Sequence, residues 1–391
     1  MKIRILLISF IAILPILSCQ GKVEPGDIQT SRYLPLLKDR KVAVFSNHTG
    51  MVGDKHLVDV LLENGIEVTA IFSPEHGFRG KADAGAGVSD STDPETGVPI
   101  LSLYGHGGEV HPSAEAMAQF DVLVADIQDV GLRFYTYYIT LCHLLDACGE
   151  DDKEVILLDR PNPNGHYVDG PILDMSLKSG VGYLPVPVVH GLTLGELMQM
   201  AQGEGWLSDA GNQCKLTIIP CRNYTHRTPY TLPIAPSPNL PNMQAIYLYP
   251  ALCPFEGTVV SLGRGTDKPF QQYGHPAMKG HYGYAFVPES RPGAQNPPLK
   301  GETCYGVDLS ALPDARSIGL DLCYVVDAYT LLKEKGQADG FFSPFFDKLL
   351  GVTWIRTMIE DGYSADAIRE RWQKDVESFK TIRAKYLIYQ E

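Results

Sequence analysis

The chain is predicted to be an α/β protein with a Rossmann-like, mostly parallel sheet, helices on both faces, and a smaller α+β C-terminal domain. Three observations predict this. Apolar, β-rich runs at residues 41–45, 67–72, 120–125 and 154–158 alternate with helical patterns, the signature of parallel βαβ units. Each run is followed at once by polar loop residues, as strands are at the sheet edge where α/β proteins place their ligands. At 391 residues the chain exceeds one ordinary core, so two domains are expected.

The N-terminus reads differently from the rest. Lys2 and Arg4 precede an apolar run over residues 5–17, too short for a comfortable membrane span but right for a signal-peptide core. The run ends at Ser18-Cys19, which resembles a bacterial lipoprotein signal. Residues 1–18 are therefore expected to be a signal peptide, Cys19 the lipidated residue and residues 19–32 a tether. A catalytic Rossmann-like domain is then expected over 33–244, and a domain completing the cleft over 245–391. A lipid-anchored place in the bacterial cell envelope follows, with the membrane as one partner.

The formal net charge of −13 becomes −15 without the signal. With no basic run to meet phosphates, nucleic acid is excluded as a partner. Seven cysteines follow Cys19 and no Cys/His zinc spacing occurs, so mostly free thiols are expected.

Taken in order, the strand at 41–45 ends in Asn47-His48-Thr49-Gly50, and a helix over 56–64 closes at Gly65. The strand at 67–72 runs into Ser73-Pro74-Glu75-His76-Gly77-Phe78-Arg79-Gly80. This stretch brings a carboxylate, an imidazole and a guanidinium together, and its glycines permit close backbone approach. Residues 81–99 read as a long loop. Its Gly85-Ala86-Gly87 has neither the strand before it nor the helix after it that a dinucleotide fingerprint needs. A short strand is expected at 98–104.

The strand at 120–125 ends in Asp126 and Asp129, followed by Arg133, Tyr135 and Tyr137 and a helix over 134–147. The strand at 154–158 ends in Asp159, Arg160 and Asn162. A helix over 192–203 capped by Thr193 and a strand at 216–220 complete the first half; residues 230–242 are proline-dense, a linker or a cleft wall. In the second half Glu256, Arg264 and Thr266 sit among glycines, a setting that suits a carboxylate or sugar hydroxyls. The regions 318–336 and 353–387 read as supporting helices. In a parallel sheet the four strand ends share one edge, so their polar residues should converge on one cleft; the competing reading of each is a cap or a salt bridge.

No serine-hydrolase elbow, P-loop or H-E-x-x-H motif is present. A metal site from Asp126, Asp129, His48 and His76 is conceivable, but no metal and no cofactor is expected. Carboxylates beside Tyr, Asn, His and Arg suit glycoside hydrolysis, in which one carboxyl protonates the leaving oxygen. The competing class is a sugar-binding envelope lipoprotein without catalysis.

Six segments, 45–50, 73–80, 126–137, 159–165, 235–242 and 255–270, together closely resemble the family once called DUF1343, whose characterised members are NamZ-type exo-β-N-acetylmuramidases of cell-wall turnover. The resemblance covers nearly all of the mature chain. It implies a cleft between the two domains and release of terminal N-acetylmuramic acid from the non-reducing end of peptidoglycan fragments such as MurNAc-GlcNAc. It also implies that Glu75 is the catalytic residue. Residue chemistry and resemblance agree on Glu75 as general acid/base, oriented by His76. Asp126 is expected as partner or stabiliser, with attack by the substrate's 2-acetamido group as the alternative. Arg133 and Arg264 are candidates for the lactyl carboxylate, and Tyr135 and Tyr137 for the sugar ring. Asn47, His48, Arg79, Asp129, Asp159, Arg160, Asn162, Glu256 and Thr266 complete the expected substrate contacts.

Overall fold

A seven-stranded sheet forms the centre of the molecule, a computed structural model that describes residues 21–74, 78, 91–101, 103 and 111–391. Its strands lie side by side in the order Leu216–Ile219, Glu154–Leu158, Val122–Asp126, Lys41–Ser46, Glu67–Phe72, Pro99–Leu101 and Ser91–Thr92. The first six run parallel and the last antiparallel. From Lys41–Ser46 the chain winds outward through Glu67–Phe72 to Pro99–Leu101. It then returns to the other flank at Val122–Asp126 and winds outward again. The winding therefore reverses between Lys41–Ser46 and Val122–Asp126, where Ser46 is in register with Asp126. A doubly wound sheet opens its ligand crevice beyond the strand ends at such a reversal.

Side chains of the central strands alternate between two cores because successive strand residues point to opposite faces. Ala43, Phe45, Phe72, Leu123, Ala125 and Leu157 enter one cluster, which the helices Tyr137–Glu150 and Leu194–Gly203 cover. Val42, Val44, Val122, Val124, Ile156 and Leu158 enter the other, under the helices Thr30–Leu37 and Leu57–Glu63. Both faces are thus sheathed by helix, which explains why these strands read as apolar throughout.

Helix starts follow their caps. Thr193 and Glu196 close a reciprocal capping box on Leu194–Gly203. His56 caps Leu57–Glu63 through Nδ1, which accepts from the Val58 N–H, while its Nε2–H donates to the Asn47 carbonyl; the two bonds define a neutral tautomer. The helix expected from residue 134 begins at Tyr137. Arg133 N–H donates to the Val188 carbonyl, so the preceding loop is paired with the strand Pro187–Val189 rather than wound into a turn.

The tether expected over 19–32 requires correction from residue 21 onward. Glu24 exchanges backbone bonds with Arg222, Gly26 N–H donates to the Asp159 carbonyl, Asp27 and Gln29 are buried, and a helix starts at Thr30. This segment docks through its backbone and single polar side chains, which leaves no apolar period in the sequence to read.

Beyond residue 243 the chain forms the helices Met243–Leu252, Cys323–Glu334, Pro344–Leu350, Trp354–Glu360 and Ala365–Arg383 and a three-stranded antiparallel sheet with Cys304–Asp308 between Gln272–His275 and Tyr284–Phe286. Ile246, Leu332, Trp372 and Phe379 from this half join the cluster under the large sheet, so one core runs through both halves. Trp372 also donates its indole N–H to Asp169 at 2.8 Å. Among the described residues all seven cysteines are unpaired, and six are buried. No helix of the described residues is long and apolar enough to cross a membrane.

Candidate active site

The loop after Lys41–Ser46 is organised by one amide. Asn47 Oδ1 accepts from the Thr49 N–H at 2.9 Å and its hydroxyl at 2.6 Å, and Asn47 Nδ2 donates to the Tyr137 hydroxyl at 3.0 Å. Thr49 Oγ1 in turn accepts from the Gln128 N–H, tying the two strands that flank the reversal. His48 donates to the Ala235 carbonyl at 2.8 Å, and Tyr135 and Tyr137 both donate to the Pro236 carbonyl at 3.0 and 3.2 Å. Three side chains from the sheet edge thereby hold the proline-dense segment across the crevice. Proline supplies carbonyls without competing N–H groups, so this stretch suits a wall.

The strand-end carboxylates are mostly engaged below that wall. Asp126, with no exposed surface, accepts two bonds from Arg160, 2.6 Å from Nε and 3.0 Å from Nη2. Arg160 Nη2 also lies 3.2 Å from Asp27. Burial pushes the Asp27 carboxyl up to about 6, Arg160 pulling it down and Asp126 adding to the rise. Asp159 accepts from the Tyr389 hydroxyl at 2.6 Å, Thr193 at 2.7 Å and the Gly195 N–H at 2.9 Å. It fastens both the helix Leu194–Gly203 and the C-terminal segment to the sheet. Its burial outweighs those three bonds and raises it to about 6. Asn162 donates to the Leu192 carbonyl and accepts from the Asn164 N–H, bracing its own loop.

Asp129 differs. Its Oδ1 accepts from the Gly131 N–H at 2.6 Å, whereas Oδ2 is buried without a partner among the described residues. Burial pushes this carboxyl up to about 7 against the pull of the Gly131 and Val130 N–H groups.

Between the two halves lies a cavity of about 230 Å³. Tyr135 and Tyr137 enter from one half, and Tyr249, Glu256, Arg264 and Phe270 from the other. The aromatic rings form one edge-to-face chain: Tyr137 to Tyr135 at 4.8 Å, Tyr135 to Tyr249 at 6.2 Å and Tyr249 to Phe270 at 4.7 Å. Burial raises the Tyr135 and Tyr249 hydroxyls well above the usual phenol range, so both stay neutral donors. Arg264 lies over the Phe270 ring at 5.0 Å and donates through Nε to Glu256 at 2.6 Å. Burial opposes its charge, but Glu256 more than compensates and holds its pKa above the ordinary value. Its terminal nitrogens make no hydrogen bond among the described residues, which leaves one edge of a positioned fork facing the cavity side.

Of the expected contacts, the structure thus brings Tyr135, Tyr137, Glu256 and Arg264 together around one cavity, with Asn47 and His48 behind its wall. Asp126, Asp159, Arg160 and Asn162 hold the framework beneath. Arg133 also departs from the expected role: it is fully buried and donates to the carbonyls of Pro171, Val186 and Leu349. That burial pulls its pKa down to about 10. Thr266 is occupied within its own turn, donating to the Gly263 carbonyl and accepting from Gln272. Glu75, His76 and Arg79 lie outside the described residues, as does Cys19; Ser73 and Pro74, which lead into Glu75, are buried at the end of Glu67–Phe72. Tyr249, Phe270, Ser237 and Asn239 were not singled out from the sequence, although three of them fall inside segments that carry the family resemblance. Among the described residues no group of three or more His, Cys, Asp or Glu is placed to hold a metal ion.

Residues 42–244 match the family model described as exo-β-N-acetylmuramidase NamZ, N-terminal, and residues 247–389 match its C-terminal counterpart.

The chain belongs to the exo-β-N-acetylmuramidase NamZ family.

Within that family it is 37% identical to the peptidoglycan β-N-acetylmuramidase NamZ of Bacillus subtilis (strain 168), over 94% of this chain and 92% of the relative. The fold is shared with two DUF1343 family crystal structures from Bacteroides fragilis NCTC 9343. One is 58% identical with a TM-score of 0.87, covering 95% of this chain and 100% of that one. The other is 26% identical with a TM-score of 0.78, covering 94% and 99%. The NamZ relationship therefore spans both halves that wall the cavity, and it identifies the chain as a glycosidase.

Proposed function

We propose that this chain is an exo-β-N-acetylmuramidase that releases terminal N-acetylmuramic acid from the non-reducing end of peptidoglycan fragments. The observation that carries the reading is the NamZ match over both halves, 42–244 and 247–389, which between them supply the aromatic chain and the Glu256–Arg264 pair of the cavity. Tyr135, Tyr137, Tyr249 and Phe270 present apolar ring surface to the CH face of a pyranose. Arg264, oriented by Glu256, takes the lactyl carboxylate of muramic acid by its free edge.

Glu75 protonates the leaving glycosidic oxygen. Asp126 is bound bidentately by Arg160 with no exposed surface, so the substrate's own 2-acetamido group, rather than Asp126, assists at the anomeric carbon. The experiment is release of free N-acetylmuramic acid from MurNAc-GlcNAc by the purified protein, with Glu75→Gln alongside. Turnover is expected from the wild type and a loss of at least about 10²-fold in the variant, which keeps its melting temperature. Undiminished release by the variant removes Glu75 from the mechanism; binding without release by either makes the chain a sugar carrier.

Lys2, Arg4, the apolar run over 5–17 and Ser18-Cys19 support a further reading, a lipoprotein processed at Cys19 and anchored in the cell envelope by its lipid. Incorporation of labelled fatty acid that survives a Cys19→Ala change would rule this out.

A further inference from the structure

Away from the sugar cavity, two hollows of about 340 Å³ each share His166, Tyr167, Val168 and Lys380 and so form one groove. The chain carries 46 acidic and 33 Lys or Arg side chains, yet in the lining of this groove Arg227, Arg316, Arg369, Lys380 and Arg383 outnumber Asp169 and Glu391. Some are neutralised locally: Arg369 pairs with Asp169, Arg383 with Glu391, and Lys380 with Glu377 at 2.9 Å. Arg227 and Arg316 have no ion pair among the described residues. They are nonetheless neighbours, since Arg316 Nη2 donates to the Arg227 carbonyl at 3.3 Å and His166 Nε2 donates to the Arg316 carbonyl at 3.2 Å. Arg227 lines one hollow and Arg316 the other, so an anion held in the groove would meet positive charge from both sides of it.

The groove residues also carry donors with nothing to donate to. Arg383, 3% exposed, leaves its Nε–H without a partner among the described residues. Arg316 Nε and the Tyr167 hydroxyl are likewise buried and unpartnered among the described residues. Buried donors of this kind cost free energy until satisfied. Burial and the Arg316 charge both hold the His166 pKa below its ordinary value, as a cationic neighbourhood would. None of these residues belongs to the sugar cavity.

We propose that this groove is an oxyanion-binding site, built for a carboxylate or a phosphate and separate from the glycosidase cavity. Arg227 and Arg316 supply the charge, and the surrounding donors supply direction. The proposal does not depend on the hydrolytic reading, because its test needs no turnover.

The purified protein is titrated calorimetrically with inorganic phosphate and, separately, with glutarate, at low and at high salt. At least one is expected to bind, more weakly as salt rises. The doubly substituted Arg227→Gln, Arg316→Gln protein should bind about tenfold or more weakly, while its release of N-acetylmuramic acid is unchanged. Because Arg316 touches neighbouring backbone, the exposed single substitution Arg227→Gln is measured as well, and it should show a smaller loss in the same direction. Preference for phosphate assigns the site to phosphate-bearing ligands, and preference for glutarate to acidic peptides. Absence of binding by both anions, or equal binding by wild type and variants, overturns the proposal.

Discussion

The floor of the crevice and the cavity beside it use similar residues to opposite ends. In the floor, Asp126 and Arg160 spend their hydrogen-bonding positions on each other and on Asp27, and Asp159 spends its own on the Thr193 and Tyr389 hydroxyls and the Gly195 N–H. In the cavity, the Glu256–Arg264 pair is satisfied on one side only, so Glu256 orients a guanidinium whose other edge is available. A carboxylate at a strand end is therefore weak evidence of catalysis. What separates scaffold from site is the number of partners that each charge already has.

The floor should fail by unfolding and the cavity by loss of binding. The largest effect is expected from Asp126→Ala, which strands Arg160 between Asp27 and an empty position and should cost about 3 kcal/mol or more in chemical denaturation. A variant that unfolds like the wild type but loses turnover would return Asp126 to the reaction and break the comparison.

Next, Arg264→Lys keeps the charge and its partner Glu256 but loses the fork. The expected result is a KM for MurNAc-GlcNAc raised about tenfold with kcat little changed and stability unaltered. A fall in kcat alone would instead place Arg264 at the reacting centre.

The smallest effect concerns Asp129, which belongs to the floor but leaves one oxygen unpartnered. Its folded pKa of about 7 lies above the ordinary 3.8, so the folded state holds a proton that the unfolded state releases. Its contribution to stability is present below about pH 4 and is lost as pH rises through 7. Asp27 and Asp159, both raised to about 6, act in the same direction over the same range. Melting temperature should fall between pH 5 and pH 8, and Asp129→Asn should flatten part of that fall, by about 3 °C. An unchanged slope in the variant would mean that Asp129 does not carry the proton.

Much of this architecture was legible in the residues. The strands and the Thr193 cap declare themselves in short, local patterns, and six segments in matching order carry the family. Asn47, Glu256 and Arg264 were visible as polar residues among turn formers. The docked segment from residue 21 was not, because it buries single side chains without a period. Arg133 misled for a related reason: a guanidinium followed by aromatics reads the same whether its partners are ligand atoms or the carbonyls of Pro171, Val186 and Leu349.

The sequence by itself determined the order of strands and helices, the apolar faces that pair them, and the family to which they belong, since propensity, periodicity and capping act over a few residues. Only the tertiary structure decided which charges are consumed. Asp27 meets Arg160, Tyr389 meets Asp159, and Tyr135 meets Tyr249 across more than a hundred residues of chain, contacts that no local pattern encodes. Whether a strand-end carboxylate braces the sheet or faces a ligand is settled by those distant partners, because desolvation and pairing depend on what surrounds a group in space.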